Sequence, residues 1–344
     1  MSFLSGNANN KSFQSGGAKW ILRFIPRERV IAGLVVLAFV GSVVFFGLRW
    51  IERNVAFHPL HYSANEVLVL PQGAEDTWLQ TADGVRLNGW FFRTSQPSLA
   101  TVIYFHGNGG NIRNIGWVGE RLRDRGFNVL LVDYRGYVRS EGDIVDEDGI
   151  YADADAAYDY VVRKIGVPPD KIVLYGQSLG TSAAVDVASR KPCGAMILES
   201  GLSSASSMAS NVLPWLPRWL HFLGRNRFES TRKLASVRCP VLITHGDPDR
   251  VIPTEEARKL FAAAHEPKRL VLFPGAGHNV FGSQGEVYLN LITNFVKEAQ
   301  MRPDTVSNMP TLRKLTASPR RDITDVPLCS ELRIPWQTDK AGET

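Results

Sequence analysis

Residues 171–184 read Lys171-Ile172-Val173-Leu174-Tyr175-Gly176-Gln177-Ser178-Leu179-Gly180-Thr181-Ser182-Ala183-Ala184. The apolar run from Ile172 to Tyr175 has no polar interruption, the pattern of a short strand buried on both faces. Small and apolar residues then continue with helical character over 179–190. Between them stands Gly176-Gln177-Ser178-Leu179-Gly180, a G-x-S-x-G pattern. The pattern alone is weak, but a buried strand before it and a helix after it supply the strand–turn–helix setting of a nucleophilic serine on a strained turn. Glycines flank that serine because larger residues would clash with helix and sheet. The helix N-terminus adds a partial positive charge suited to a developing oxyanion.

Working outward, similar β-branched runs occur at 101–105, 128–132, 195–198, 241–244 and 269–273. Helix-like stretches at 112–125, 149–164, 254–264 and 286–299 separate most of them. Near-continuous apolar strands alternating with helices predict an α/β fold, a mostly parallel central sheet with helices on both faces. Upstream, residues 77–81 and 85–93 flank Ala82-Asp83-Gly84, a hairpin signal that makes the start of the sheet antiparallel. This domain is expected over 60–300. Residues 201–238 interrupt the alternation where one short crossover helix would suffice, and they carry Met208, Trp215, Leu216 and Trp219. Such a cap-like insertion either roofs an apolar pocket, rests against a bilayer or packs on the sheet as a satellite cluster. From 301 to 344 scattered prolines and mixed charge without apolar period predict a disordered tail.

Between Arg29 and Arg49, the 19 residues from Val30 to Leu48 carry no charge, and Ser42 is their one polar side chain. A helix of that length spans roughly 28 Å, close to the hydrocarbon thickness of a bilayer. Trp20 and Trp50 flank it at interfacial depth. The expectation is a single retained transmembrane anchor over 30–48, preceded by a cytoplasmic segment 1–29. A cleaved signal peptide would have a shorter apolar region, and no clear cleavage site follows. Lys19, Arg23, Arg27 and Arg29 precede the span, against Arg49 and Arg53 after it, so the positive-inside rule puts the large domain on the non-cytoplasmic side.

The 344 residues hold 39 Lys plus Arg against 34 Asp plus Glu, a net charge of +5. The whole excess lies in residues 1–53, so the folded part is neutral and a nucleic-acid partner is not expected. With 44% apolar and 21% charged residues, a wholly disordered or fibrous chain is excluded. Cys193, Cys239 and Cys329 are too few and scattered for a disulfide framework or a metal cluster, though one pair remains open.

A nucleophilic serine needs an oxyanion hole, and His106-Gly107-Asn108-Gly109-Gly110 follows the strand at 101–105. Small residues there let backbone N–H groups approach an acyl oxygen, so the expected donors are the main-chain N–H groups of Leu179 and Asn108. The loop lacks the G-x-G-x-x-G and Walker spacings of a phosphate cradle. Of seven histidines, His278 in Gly275-Ala276-Gly277-His278-Asn279 lies after the last strand and completes the order serine, acid, histidine. His106 and His245 each precede a glycine at a strand end, where imidazole orders a loop. For the acid, Asp247 and Asp249 both follow the strand at 241–244, and Glu199 ends the strand before it. The acid's task is to hold the imidazole tautomer and stabilise its cation.

Taken together, Tyr104-Phe105-His106-Gly107-Asn108-Gly109-Gly110-Asn111-Ile112, Val132-Asp133-Tyr134-Arg135-Gly136-Tyr137, Gly176-Gln177-Ser178-Leu179-Gly180, His245-Gly246 with Asp249, and Gly277-His278-Asn279 resemble the α/β-hydrolase superfamily. Within it, the chain is similar to the membrane-anchored α/β-hydrolase-domain serine hydrolases. The resemblance covers about residues 30–300. It implies the α/β-hydrolase fold and a Ser178, Asp249, His278 triad, with no metal and no organic cofactor. In the family's pattern two residues separate histidine-glycine from the acid, which stands ahead of a short apolar stretch and proline. Asp249 fits that register, which leaves Asp247 to cap the turn. Two positions depart from it: Val138, where such proteins often have glycine, and Thr181, where a second glycine often follows the elbow. The expected reaction is hydrolysis of a carboxylic ester or thioester, with an acyl-ester or lipid-like substrate. A peptidase on the same fold and a non-catalytic membrane scaffold are the alternatives. Chain length, substrate and oligomeric state are not legible.

Overall fold

The computed structural model describes residues 26–56, 69–142, 146–212 and 225–301. The expected tail, Trp215, Leu216 and Trp219 of the insertion, and Cys329 lie outside them.

Eight strands form one sheet: β1 (Ala74–Gln80), β2 (Arg86–Phe92), β3 (Thr101–Phe105), β4 (Asn128–Val132), β5 (Ile172–Gln177), β6 (Ala195–Glu199), β7 (Val241–Gly246) and β8 (Lys268–Phe273), in the order β1-β2-β4-β3-β5-β6-β7-β8. β1 pairs antiparallel with β2, and β2 antiparallel with β4. Every later pairing is parallel. This is the α/β-hydrolase fold. The chain order β3-β4 is reversed in space, so the nucleophile strand β5 lies against β3, Phe105 opposite Gly176.

Alternation along each strand divides the apolar side chains between two cores. Ile103 and Phe105 of β3 point to the face covered by α3 (Glu147–Asp159), α4 (Gly180–Arg190), α6 (Ser230–Leu234) and α7 (Thr254–Ala263). Val102 and Tyr104 point to the face covered by α2 (Gly116–Asp124) and α8 (Val280–Met301). α5 (Ala205–Val212) opens the insertion after β6. β3, β6 and β7 are buried along their whole length. Each fully buried Leu, Ile or Phe contributes about 1.5–3 kcal/mol relative to exposure, which is why these runs carry no alternating polar residues. β1, at the edge, is buried only at Leu79.

The N-terminal helix α1 runs Arg27–Ala56, longer than the apolar run at its centre. Leu37, Phe39 and Phe46 are each 68% exposed, and none of the candidate span Arg27–Gly47 is buried. A helix apolar on all sides and this exposed is not a core element; its length and composition suit a membrane anchor or a signal sequence. The Ser42 hydroxyl donates to the Ala38 carbonyl at 2.8 Å, so the run's one polar side chain is satisfied within the helix.

Candidate active site

β5 delivers the backbone into a turn where Ser178 adopts φ 53°, a left-handed conformation that an ordinary residue holds only under strain. The turn closes because the flanking residues lack side chains. A Cβ on Gly176 would lie 2.5 Å from Thr181 Cα, and one on Gly180 2.0 Å from the Phe105 carbonyl oxygen. The Ser178 N–H donates to the Glu199 carbonyl at 2.8 Å, anchoring the elbow to β6. Thr181, a departure from the family pattern, donates its hydroxyl to the Ser178 carbonyl at 2.6 Å, and a Cβ on Gly201 would meet its side chain. Its methyl and hydroxyl thus occupy space beside the insertion's first residue.

The loop after β3 packs on this serine. A Cβ on Gly107 would lie 3.1 Å from Ser178 Cβ and 3.6 Å from its Oγ. Asn108 is held by Tyr137, whose hydroxyl donates to the Asn108 carbonyl at 3.0 Å. His106 is fully buried, stacks near Tyr134 and Tyr137, and faces Asp133 at 3.5 Å. Asp133 also accepts the Ile112 N–H at 2.8 Å. The Val132-Asp133-Tyr134-Arg135-Gly136-Tyr137 segment is therefore the scaffold of this loop.

On the far side of Ser178, the loops after β7 and β8 meet. A Cβ on Gly246 would lie 2.0 Å from the Ala276 carbonyl oxygen, so this glycine permits the contact. Across it, His278 Nδ1 lies 2.8 Å from Asp249 Oδ2. A carboxylate facing Nδ1 fixes the proton there and leaves Nε2 free to accept one. The Asp249 side chain is wholly buried, whereas that of His278 is 25% exposed, so the imidazole's free edge can meet a substrate. Asp249 Oδ1 accepts the N–H groups of Val251 and Ile252 at 2.8 and 3.0 Å. Burial works to raise its pKa, but hydrogen bonds from His245, His278 and the Ile252 amide outweigh it and hold the group well below the usual carboxylate range. No hydrogen bond joins Ser178 to His278 in this structure; such contacts tighten when substrate binds.

The other two acid candidates are occupied elsewhere. The Asp247 carboxylate accepts the Gly275 N–H at 2.8 Å, so it ties the β7 loop to the β8 loop, a correction to its expected role of capping its own turn. The Glu199 carboxylate, fully buried, accepts the Phe281 N–H at 2.9 Å and a bond from the Tyr175 hydroxyl, so it does not serve His278 as a hydrogen-bond partner. Two supporting roles were not read from sequence. Glu199 is one. The other is His245, whose Nε2 lies 2.8 Å from the Ile252 carbonyl and 3.2 Å from Asp249 Oδ2. Both neighbours accept, so Nε2 carries the proton and Asp249 has a second imidazole donor. The signal was available in the spacing of His245 and Asp249 across a tight turn, but a histidine before glycine reads equally well as loop packing.

A serine at a strained strand-to-helix turn, an acid after the seventh strand and a histidine after the eighth define the architecture of an α/β hydrolase. The chain belongs to the Hydrolase_4 family, described as serine aminopeptidase, S33, whose profile matches residues 96–232 and 216–284. It is similar to the uncharacterized protein Rv2307c of Mycobacterium tuberculosis, 36% identical over 280 residues that span 80% of this chain and 97% of that one. The α/β hydrolase domain-containing protein WAV2 of Arabidopsis thaliana is 32% identical over 244 residues, 65% of this chain and 79% of WAV2. Among solved structures, the Pyrococcus furiosus esterase Pf2001 superposes with a TM-score of 0.58 at 21% identity, over 71% of this chain and 99% of that one.

Proposed function

We propose that the protein is a membrane-anchored serine hydrolase that cleaves carboxylic esters or thioesters through an acyl-enzyme. The 2.8 Å contact between Asp249 and His278 Nδ1 carries this reading, because it leaves the imidazole edge free beside the loop system that holds Ser178. In this mechanism Ser178 Oγ attacks the acyl carbon while His278 Nε2 takes its proton, and Asp249 stabilises the imidazolium. The main-chain N–H groups of Leu179 and Asn108 receive the oxyanion; losing one such donor costs on the order of 10²–10³ in rate. His278 then protonates the leaving oxygen or sulfur, and water releases the acid by the same steps in reverse. Ester chemistry is favoured because Pf2001, which shares the fold, is an esterase. The family's description as a serine aminopeptidase favours a second reading, an exopeptidase on the same triad. The α1 helix serves as the anchor, with the N-terminus cytoplasmic and the hydrolase domain on the other side, on the strength of Lys19, Arg23, Arg27 and Arg29 before the span against Arg49 and Arg53 after it. A membrane and an acyl-ester or lipid-like substrate are the partners in this reading.

The test is direct. Full-length protein should label with a fluorophosphonate, and the label should disappear in Ser178→Ala. Turnover of p-nitrophenyl esters of graded chain length, with no release from aminoacyl p-nitroanilides, supports the esterase; the opposite pattern establishes the peptidase. Absence of label with an intact fold would leave a non-catalytic scaffold.

A further inference from the structure

Cys193 and Cys239 stand 46 positions apart in the chain, yet their sulfurs lie 2.9 Å from one another. Cys193 sits between α4 and β6, and Cys239 immediately before Pro240 and β7. β6 and β7 are neighbours in the sheet, with Met196 opposite Val241, so the two thiols sit at the N-terminal ends of adjacent parallel strands. Ser178, Asp249 and His278 all lie beyond the C-terminal ends of β5, β7 and β8. Both cysteines are half-buried, and a cleft of about 380 Å³ opens onto both, so a small disulfide can reach them. The hydrogen bond to Cys239, then burial, pushes the Cys193 thiol well above its ordinary range. A thiol held neutral is a poor nucleophile for rapid exchange, which suits a stable bond rather than a reactive switch.

We propose that Cys193 and Cys239 are joined by a disulfide in the mature protein, a covalent modification of the hydrolase domain at the strand N-termini, the end of the sheet opposite its catalytic residues. Each sulfur loses a hydrogen and one Sγ–Sγ bond forms. The two protons and two electrons pass to a disulfide oxidant, oxidised glutathione or a protein disulfide, which leaves as two thiols after a mixed-disulfide intermediate. The supply of that oxidant rests on the non-cytoplasmic placement of the domain proposed above, where disulfides form and persist. The closed loop contains β6, with Glu199, and the whole insertion 201–238. Cross-linking its two ends reduces the freedom of the unfolded chain and fixes the base of the insertion.

Full-length protein in its native membranes, denatured in N-ethylmaleimide and digested for mass spectrometry, tests the bond. A linked pair of peptides containing Cys193 and Cys239, with Cys329 capped, is the expected result. Capped Cys193 and Cys239 overturn the proposal. Purified full-length chain, reduced and then equilibrated with mixed reduced and oxidised glutathione, identifies the cause of that failure: closure in this buffer indicts the membrane orientation, whereas persistent glutathione adducts indict the geometry. The oxidised chain should melt roughly 5–15 °C above both the reduced chain and the Cys193→Ser, Cys239→Ser double variant. Equal melting temperatures overturn the stapling role. Fluorophosphonate labelling should be the same in all three, so a failure of the hydrolase reading would be seen separately as absent label.

Discussion

Glu199 binds Phe281: its buried carboxylate accepts the Phe281 N–H at 2.9 Å, while its own carbonyl accepts the Ser178 N–H at 2.8 Å. One residue thus joins the serine turn to the first turn of α8, three residues beyond His278. Tyr175 donates to the same carboxylate, and its hydroxyl meets that of Tyr288 at 2.9 Å. Burial raises the Glu199 pKa despite those bonds, so burial works against its charge. Glu199→Gln, neutral and isosteric, should therefore leave melting temperature and ester turnover close to wild type. Glu199→Ala strands two buried donors and should cost about 2–4 kcal/mol, with kcat falling more than KM rises as the His278 loop loses its tether. Paired thermal melts and ester kinetics read both; equal behaviour of Gln and Ala would remove the tether.

Val138 holds φ 47° on a β-branched side chain, at a position where the proteins it resembles often have glycine. That conformation costs a non-glycine residue roughly 1–2 kcal/mol. Glycine is free of the clash but loses more entropy on folding. Val138→Gly should then stabilise the domain by about 1 kcal/mol, a rise of roughly 2–4 °C in Tm. A lower Tm would mean that packing of the half-buried valine outweighs its strain.

The six strands β3–β8 were legible because parallel strands covered on both faces leave apolar runs, and β1 and β2 because a hairpin signal at Ala82-Asp83-Gly84 joins them. Helix starts were less so. Residues 286–299 carry the clean apolar period, but α8 begins at Val280, and Gly285 interrupts it with a non-helical φ of 48° and ψ of −116°. Gly282 and Gly285 disguise that first turn, whose place is set by the Glu199 carboxylate, a contact 82 positions away in the chain. α2 likewise starts at Gly116 rather than 112, because Asn111 and Ile112 are drawn into a turn bonded to Asn114 and Asp133. Ser178 and His278 stand out as candidates from short motifs, whereas Asp249 is separated from Asp247 and Glu199 only by the resemblance. Their helpers do not stand out, since His245, Glu199 and Tyr137 act through contacts that only the folded chain creates.

The anchor reading predicts that full-length protein stays with membranes through a carbonate wash, whereas a chain lacking residues 1–56 is released as soluble, fluorophosphonate-reactive protein. The cut is placed at the end of α1. Recovery of the intact chain in the supernatant would sink the anchor. A mature N-terminus beyond Leu48 would instead identify a cleaved signal sequence, the other segment type with this apolar length.

The proposed triad acid, Asp249, can be separated from its neighbours by what each carboxylate holds. Asp249 accepts from His278 and His245 at Oδ2 and from two backbone N–H groups at Oδ1. Asparagine at this position keeps the shape and the Oδ1 contacts but presents an amide to His278 Nδ1, which favours the wrong tautomer. Asp249→Asn should lose on the order of 10⁴ in kcat. Asp247→Asn keeps an oxygen for the Gly275 N–H and should be mild, as should Glu199→Gln. Stability should separate them as well. A carboxylate depressed on folding contributes stability above its unfolded pKa of about 4, lost as pH falls through its lower folded value. Asp249 is depressed, so wild-type Tm should fall steeply below about pH 4 and that of Asp249→Asn less steeply. Near-normal turnover by Asp249→Asn, with an unchanged acid limb in the melting profile, would pass the role to whichever of Asp247 and Glu199 abolishes activity when replaced.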